Sequence, residues 1–352
     1  MYSTNQNSRV VVITGASAGV GRATAVAFAK RGARIGLIAR GLPGLEAAKR
    51  EVELNGGEAV IAPADVSNPD ALKKSADLVE HAFGPIDLWV NNAMTSVFAP
   101  FSEITPGEFK RVTEVTYLGS VNGTMEALKR MAPRKRGTII QVGSALAYRS
   151  IPLQSAYCGA KHAIVGFIDS VRCELIHDRL PIHVTVVHMP ALNTPQFQWC
   201  KSRLPRKAQP VPPIFQPEIA ADAIVWAADH PRREVWVGAS TWKAIIGQKI
   251  VPGLLDQVLG RTGYSAQQHD GIEHSDRPDN LWEPVTIDLG ARGTFNDRAS
   301  ERSPALQLVK ERNWVAAAGL LITGLAANYL LARSRHVQSS RQVSDNHARK
   351  LK

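Results

Sequence analysis

The chain has 352 residues, 44% of them hydrophobic and 21% charged, which excludes wholesale disorder and allows one large α/β domain with appended segments. Its formal net charge of +11 points to anionic ligands, but no helix-turn-helix, zinc-finger or aromatic-basic RNA signature accompanies it, so nucleic acid is not an expected partner. Three cysteines without a CxxC pair, and no zinc-type His/Cys spacing, indicate a reduced compartment and no metal site.

The polar start leads directly into a strand over residues 9–13, with no long apolar run, so a cleaved secretory signal is not expected. Helical spacing follows over 20–31, closed by Gly32, then a strand over 33–39. A helix over 42–54 is stopped by Asn55-Gly56-Gly57, and a strand over 58–62 leads to Asp65-Val66. Asn68 caps a helix running to 83, and a strand over 86–90 ends at Asn91-Asn92-Ala93. A long helix is predicted over 105–131, with Pro106 in its first turn. Strands over 137–142 and 182–187 flank a helix over 155–178, and residues 234–237 supply a seventh strand. Alternation at this spacing predicts a doubly wound, Rossmann-like parallel sheet of seven strands with helices on both faces. Gly15, Asp65, Asn91, Ser144 and Pro190 all fall just after predicted strands, where such sheets bind ligands, so one crevice is expected to collect them.

Between residues 190 and 217 the chain is rich in proline and poor in periodicity, with Phe197, Trp199, Leu204 and Phe215 interspersed, as in a substrate lid. Residues 1–264 are assigned to the catalytic domain, and the polar stretch 265–312 is expected to be a weakly ordered linker. Trp314 to Ala332 then spans 19 positions without a charge, close to the roughly 20 needed to cross a bilayer. Trp314 and Tyr329 lie near its ends, as interfacial anchors do. A transmembrane or membrane-associated helix is expected over 313–332, followed by a basic tail over 333–352. The catalytic domain is expected on the cytoplasmic side, where its cofactor pool lies, although the basic tail favours that side too.

Thr14-Gly15-Ala16-Ser17-Ala18-Gly19-Val20-Gly21 lies between a predicted strand and a predicted helix. Glycines there permit positive φ and close approach of a pyrophosphate to the helix N-terminus. After the second strand, Ala39-Arg40 supplies a guanidinium where NAD sites usually present a carboxylate, which points to the 2′-phosphate of NADP(H). Arg22 offers a second cation. Tyr157 and Lys161 stand at i,i+4 on one helical face, and Ser144 precedes them at the end of a strand. The ammonium is expected to lower the phenol's pKa, with Tyr157 transferring the proton while Ser144 holds the substrate oxygen.

These residues identify the chain, over roughly residues 9–260, as resembling the short-chain dehydrogenase/reductase family. The stretches that carry the resemblance are the glycine loop, Asp65-Val66, Asn91-Asn92-Ala93-Met94, Ser144, Tyr157-Cys158-Gly159-Ala160-Lys161, and Pro190 with Thr194. The resemblance implies that Gly15, Ser17, Gly19, Val20 and Gly21 cradle the cofactor. It also implies that Asp65 and Val66 frame the adenine, Asn91 supports cofactor and sheet, and Lys161 meets the nicotinamide ribose. Pro190 and Thr194 approach the nicotinamide end. Thr116 stands where the family commonly has an asparagine that holds a relay water. The implied activity is NADP(H)-dependent hydride transfer to a carbonyl or from a secondary alcohol. The apolar insert and tail suggest a hydrophobic, lipid- or sterol-like substrate. Pairing through the helices over 105–131 and 155–178 implies a homodimer or tetramer. A cofactor-binding scaffold with little turnover and an epimerase or dehydratase are the alternatives.

Overall fold

The computed structural model describes residues 9–274 and 276–311. Seven strands form the sheet: β1 Val10–Thr14, β2 Arg34–Ala39, β3 Glu58–Pro63, β4 Leu88–Asn91, β5 Gly137–Ser144, β6 Ile182–Met189 and β7 Glu234–Trp236. Their order is β7-β6-β5-β4-β1-β2-β3, with every pairing parallel. The chain starts at the centre, winds to one edge, and returns through β4 to the other. Parallel strands covered on both faces must be apolar throughout, and Val10, Val11, Val12 and Ile13 are all buried. Val10 and Val12 join the cluster containing Leu72, Val79, Val115, Ile164 and Ile168 from the helices on one face. The helices Gly19–Ala29 and Pro217–Asp229 pack together. The strand reversal between β1 and β4 leaves a crevice at the carboxyl ends, which is where such folds bind ligands.

The long helix expected over 105–131 is interrupted. Pro106–Val112 is α-helical, Thr113–Leu118 is a π-helical turn, and Gly119–Met131 resumes the α-helix. Thr105 and Glu108 form a capping box at its start. The π turn widens the helix at Thr116, a feature found often at functional sites. Helices Ala239–Ile250 and Pro252–Ala266 follow β7, where no elements were predicted.

The polar stretch expected to be a weakly ordered linker is instead built into the domain through Leu306. Its strand Gln268–Ile272 pairs antiparallel with Arg206–Ala208, and Ala299–Ser300 pairs with Ile214–Phe215. The irregular insert thus obtains its backbone partners from sequence 60 or more residues away, as buried backbone requires. Leu281 and Phe295 are buried despite their polar neighbours. Gln267 accepts from Gln154 Nε2 at 2.8 Å and donates to Pro152 O, which fixes the chain entering the helix Ser155–His177. Among the described residues no helix is long and apolar enough to cross a membrane. The segment 313–332 and the tail 333–352 lie outside the described residues.

Candidate active site

Thr14 closes β1 and anchors the glycine loop. Its hydroxyl accepts from Asn92 N at 3.0 Å and Ala93 N at 3.1 Å. Asn92 Nδ2 returns to Thr14 O and Gly15 O, tying β1 to the end of β4. Gly15 and Gly19 have φ of +66° and +56°, which side chains beyond glycine rarely adopt. A Cβ on Gly21 would stand 2.2 Å from Gly15 O. The loop therefore offers bare backbone at the N-terminus of the helix Gly19–Ala29, a cradle suited to a dinucleotide's pyrophosphate.

A cavity of about 190 Å³ extends from this loop, walled by Gly15, Ser17, Gly19, Val20, Arg40, Asp65, Val66 and Thr194 among others. Its far wall is a strap formed by residues 280–290, which includes Asn280, Val285, Ile287 and Leu289. Gly19 N donates to Gly290 O at 3.1 Å. Arg40 donates to Trp282 O at 2.7 Å and to Asn280 O. Arg111 donates to Leu281 O at 3.0 Å and stacks over the Trp282 ring. Arg40 is therefore half-buried and engaged by two carbonyls. Burial lowers its pKa, with Arg111 adding to that fall and Asp65 opposing it. Arg22, expected to be a second phosphate cation, is corrected: its guanidinium is held by Glu51 at 2.8 Å and by Asp288 at 2.5 Å.

Asp65 is paired with Arg111 and accepts from Ser67 N and Oγ. Burial would raise its pKa, but these donors hold it below the usual carboxylate range. Val66 packs against Gly119, where a Cβ would meet it at 2.4 Å. Asn91 is buried, and its amide accepts from Trp89 Nε1 at 2.8 Å and donates to Thr124 Oγ1 at 3.1 Å. It joins sheet to helix and does not wall the cavity. Pro190 leaves β6 against Gly238 and is likewise outside the cavity wall. Ser144 also lies outside this wall.

The remaining residues of the site are the proton-transfer groups. Ser144 ends β5, and its Oγ accepts from Leu146 N at 3.1 Å. The Tyr157 hydroxyl lies within interaction range of Ser144. Lys161, one turn further along the same helix, is 3% exposed. Its Nζ lies 5.6 Å from the Tyr157 ring centroid and donates to Val142 O at 2.6 Å. The structure therefore brings Ser144, Tyr157 and Lys161 together. The expected lowering of the phenol is corrected. Its ring keeps a partly exposed edge, but burial of the hydroxyl raises its pKa, and the nearby Ser144 offsets only part of this. Burial also lowers Lys161 to about 8. Both groups are pushed toward their neutral forms.

Thr116 is fully buried, and its hydroxyl donates to Thr95 O at 2.9 Å and accepts from Thr95 N at 3.1 Å. Its only donor is thereby used, so it does not extend toward Lys161 as a longer amide would. Sequence reasoning missed Asn92 as the clamp on the glycine loop, and Arg111 and the strap as parts of the site. The alternating apolar Leu281, Val285, Ile287 and Leu289 were the available signal for the strap.

Residues 9–203 match the short chain dehydrogenase family. Among curated relatives, an uncharacterized oxidoreductase, YxnA, of Bacillus subtilis is 33% identical over 326 residues, covering 91% of this chain and 89% of its own. A fatty acyl-CoA reductase of Acinetobacter baylyi is 30% identical, covering 66% of this chain and 77% of its own. Among solved structures, a short chain dehydrogenase from Mycobacterium paratuberculosis bound to NAD superposes with a TM-score of 0.57 at 27% identity. That match covers 66% of this chain and 97% of the mycobacterial one.

Proposed function

The chain belongs to the short chain dehydrogenase family and is an oxidoreductase of that type, and from that premise we propose that it reduces hydrophobic carbonyl compounds with NADPH. The observation that carries the proposal is the meeting of Tyr157 with the buried Lys161, whose Nζ lies 5.6 Å from its ring centroid, beside the buried Ser144 at the end of β5. Gly15, Ser17, Gly19, Val20 and Gly21 would hold the pyrophosphate, Asp65 and Val66 the adenine, and Arg40 the 2′-phosphate. Asn91 would support the cradle from behind, Lys161 would meet the nicotinamide ribose, and Pro190 and Thr194 would approach the nicotinamide end. Bound there, the dinucleotide supplies or accepts the hydride.

Ser144 donates to the substrate oxygen, and Tyr157 delivers a proton to that oxygen as negative charge builds on it. A phenol kept protonated by burial suits the donor role, which favours reduction over oxidation. Lys161 at about 8 is still an ammonium at neutral pH and stabilises charge that develops on the phenolate. The apolar residues Phe197, Trp199, Leu204 and Phe215 of the insert between residues 190 and 217 are what suggest a hydrophobic substrate. The relative that is a fatty acyl-CoA reductase points the same way, toward lipid-like carbonyls. Membrane attachment through 313–332 is supported by the uncharged run Trp314 to Ala332. A homodimer or tetramer is supported by family habit.

The test is cofactor oxidation with long-chain aldehydes, acyl thioesters and sterol ketones, using NADPH and NADH in parallel on wild type and Arg40→Asp. Wild type is expected to prefer NADPH, and the substitution to move the NADPH/NADH ratio of kcat/KM by at least about tenfold toward NADH. Using the ratio cancels any loosening of the strap common to both cofactors. An unchanged ratio would remove Arg40 from cofactor selection, and no turnover across the panel would remove the substrate class.

A further inference from the structure

The residues behind Ser144 form an arrangement that the proposed chemistry does not yet use. His188 lies on β6, directly opposite Gly143 of β5, and is fully buried. Its Nδ1 is 3.1 Å from the backbone carbonyl of Ser144. Its Nε2 is 3.4 Å from Glu234 Oε2, on the edge strand β7. Glu234 also accepts from the Tyr148 hydroxyl at 2.7 Å and from Trp236 Nε1 at 2.8 Å. The Tyr148 ring lies 5.1 Å from the imidazole. Space for the imidazole depends on Gly143, where a Cβ would stand 2.8 Å from His188 Nδ1.

Ser144 and Tyr148 bracket the short 3-10 turn Ala145–Ala147. The start of the turn is thus met by His188 through the Ser144 carbonyl and its close by Glu234 through Tyr148, with Glu234 3.4 Å from the imidazole but not hydrogen-bonded to it. A carbonyl can only accept, so Nδ1 carries a proton and donates to Ser144 O. The group facing Nε2 across 3.4 Å, Glu234 Oε2, is also an acceptor. Burial would raise Glu234, but the nearby His188 and the hydrogen bonds from Trp236 and Tyr148 hold it at about 2, so it remains a carboxylate. Beyond these groups, Lys249 lies 5.9 Å from the Tyr148 ring, and Arg233 pairs with Asp169 nearby.

We propose that His188, Glu234 and Tyr148 form a buried clamp that fixes the Ser144 turn, making His188 a positioning residue for the hydroxyl that meets the substrate oxygen. This rests on the reading of Ser144 as a substrate-holding residue. The clamp acts on the backbone of Ser144, while the Ser144 side chain stays free to face Tyr157. Displacing a positioned donor by about 1 Å is enough to lower turnover about a hundredfold.

The test compares full-length wild type, His188→Leu, His188→Asn, Ser144→Ala and the double variant Ser144→Ala/His188→Leu, with thermal unfolding measured on each. His188→Leu is expected to lower kcat about 10- to 100-fold, with the KM for NADPH within about twofold. His188→Asn, whose amide can donate near the Nδ1 position, is expected to recover most of the loss. The double variant is expected to be no slower than Ser144→Ala, because His188 acts through Ser144. Multiplying losses in the double variant, or full activity of His188→Leu, would overturn the clamp. If Ser144→Ala itself kept full activity, the reading of Ser144 would fail instead, so the two failures are distinguishable. Should His188→Leu not fold, Tyr148→Phe removes only the second grip. It is expected to lower kcat about threefold or more in the Ser144 background and not in Ser144→Ala. Equal effects in both backgrounds would overturn the proposal.

Discussion

Burial acts on Tyr157 and Lys161 in opposite chemical directions, and the consequences can be measured. Lys161 falls from 10.5 to about 8, while the Tyr157 phenol rises above its ordinary 10.0. The ammonium is populated below about 8 and lost above it. The kcat/KM for NADPH, which reports groups of the free enzyme, is therefore expected to fall as pH passes through about 8. An exposed lysine would delay that fall beyond pH 10, and a profile flat to about 10 would contradict the burial argument. Folding stability moves the other way. Between about 8 and 10.5 the unfolded chain holds a proton that the folded chain has released, so this group's contribution to stability rises with pH. At Gly21 the limit is steric. A Cβ 2.2 Å from Gly15 O cannot be relieved by turning a side chain, because both partners are backbone. Gly21→Ala is expected to cost about 1–3 kcal/mol in urea unfolding and to weaken NADPH binding in parallel. Ser144, Tyr157 and Lys161 were legible in the sequence because a strand end and an i,i+4 spacing bring them together locally. Arg40 was legible only as a charge. Its partners Asn280 and Trp282 lie about 240 positions away, and the backbone carbonyls it meets carry no residue-type signal.

The elements of the sheet were readable from periodicity, since β1 to β6 are apolar runs bounded by glycine, asparagine or proline. The strap was not read, because its alternation over Val285, Ile287 and Leu289 is only five residues long, is cut off from Leu281 by Pro284, and lies in an otherwise polar stretch. Its role follows from where it sits. Gly290 O occupies the N–H of Gly19, and Leu281 completes a cluster with Val97, Ala99, Val112 and Ala156, against which Tyr157 packs. For a phosphate to reach that N–H, Gly290 must first release it. Leu281→Ala removes the strap's buried anchor and is expected to raise the association rate for NADPH about tenfold in stopped-flow fluorescence. Protease cleavage within residues 280–290 should increase with it. An unchanged association rate would show that the strap does not govern entry. The π turn at Thr113–Leu118 was hidden for a different reason: it is a single turn flanked by α-helix on both sides, and no residue type marks it.

Across the molecule, the catalytic unit extends to Leu306, well past the boundary at 264 that composition alone indicated. Gln267, Leu281, Phe295 and the strand Ala299–Ser300 all complete surfaces formed by residues before 264. A chain ending at residue 311 is expected to fold and turn over as the full chain does. One ending at 264 is expected to unfold with a midpoint at least about 10 °C lower, because several buried apolar anchors are lost together. Equal melting of the two would restore the linker reading. The central claim is that Tyr157 passes the proton while Ser144 holds the carbonyl oxygen. Steady-state carbonyl reduction by full-length wild type and Tyr157→Phe at saturating NADPH tests this most directly, with cofactor binding measured on both. The account predicts a kcat about 10²- to 10⁴-fold lower in the variant with NADPH affinity retained, whereas a variant keeping most of the wild-type kcat would contradict it.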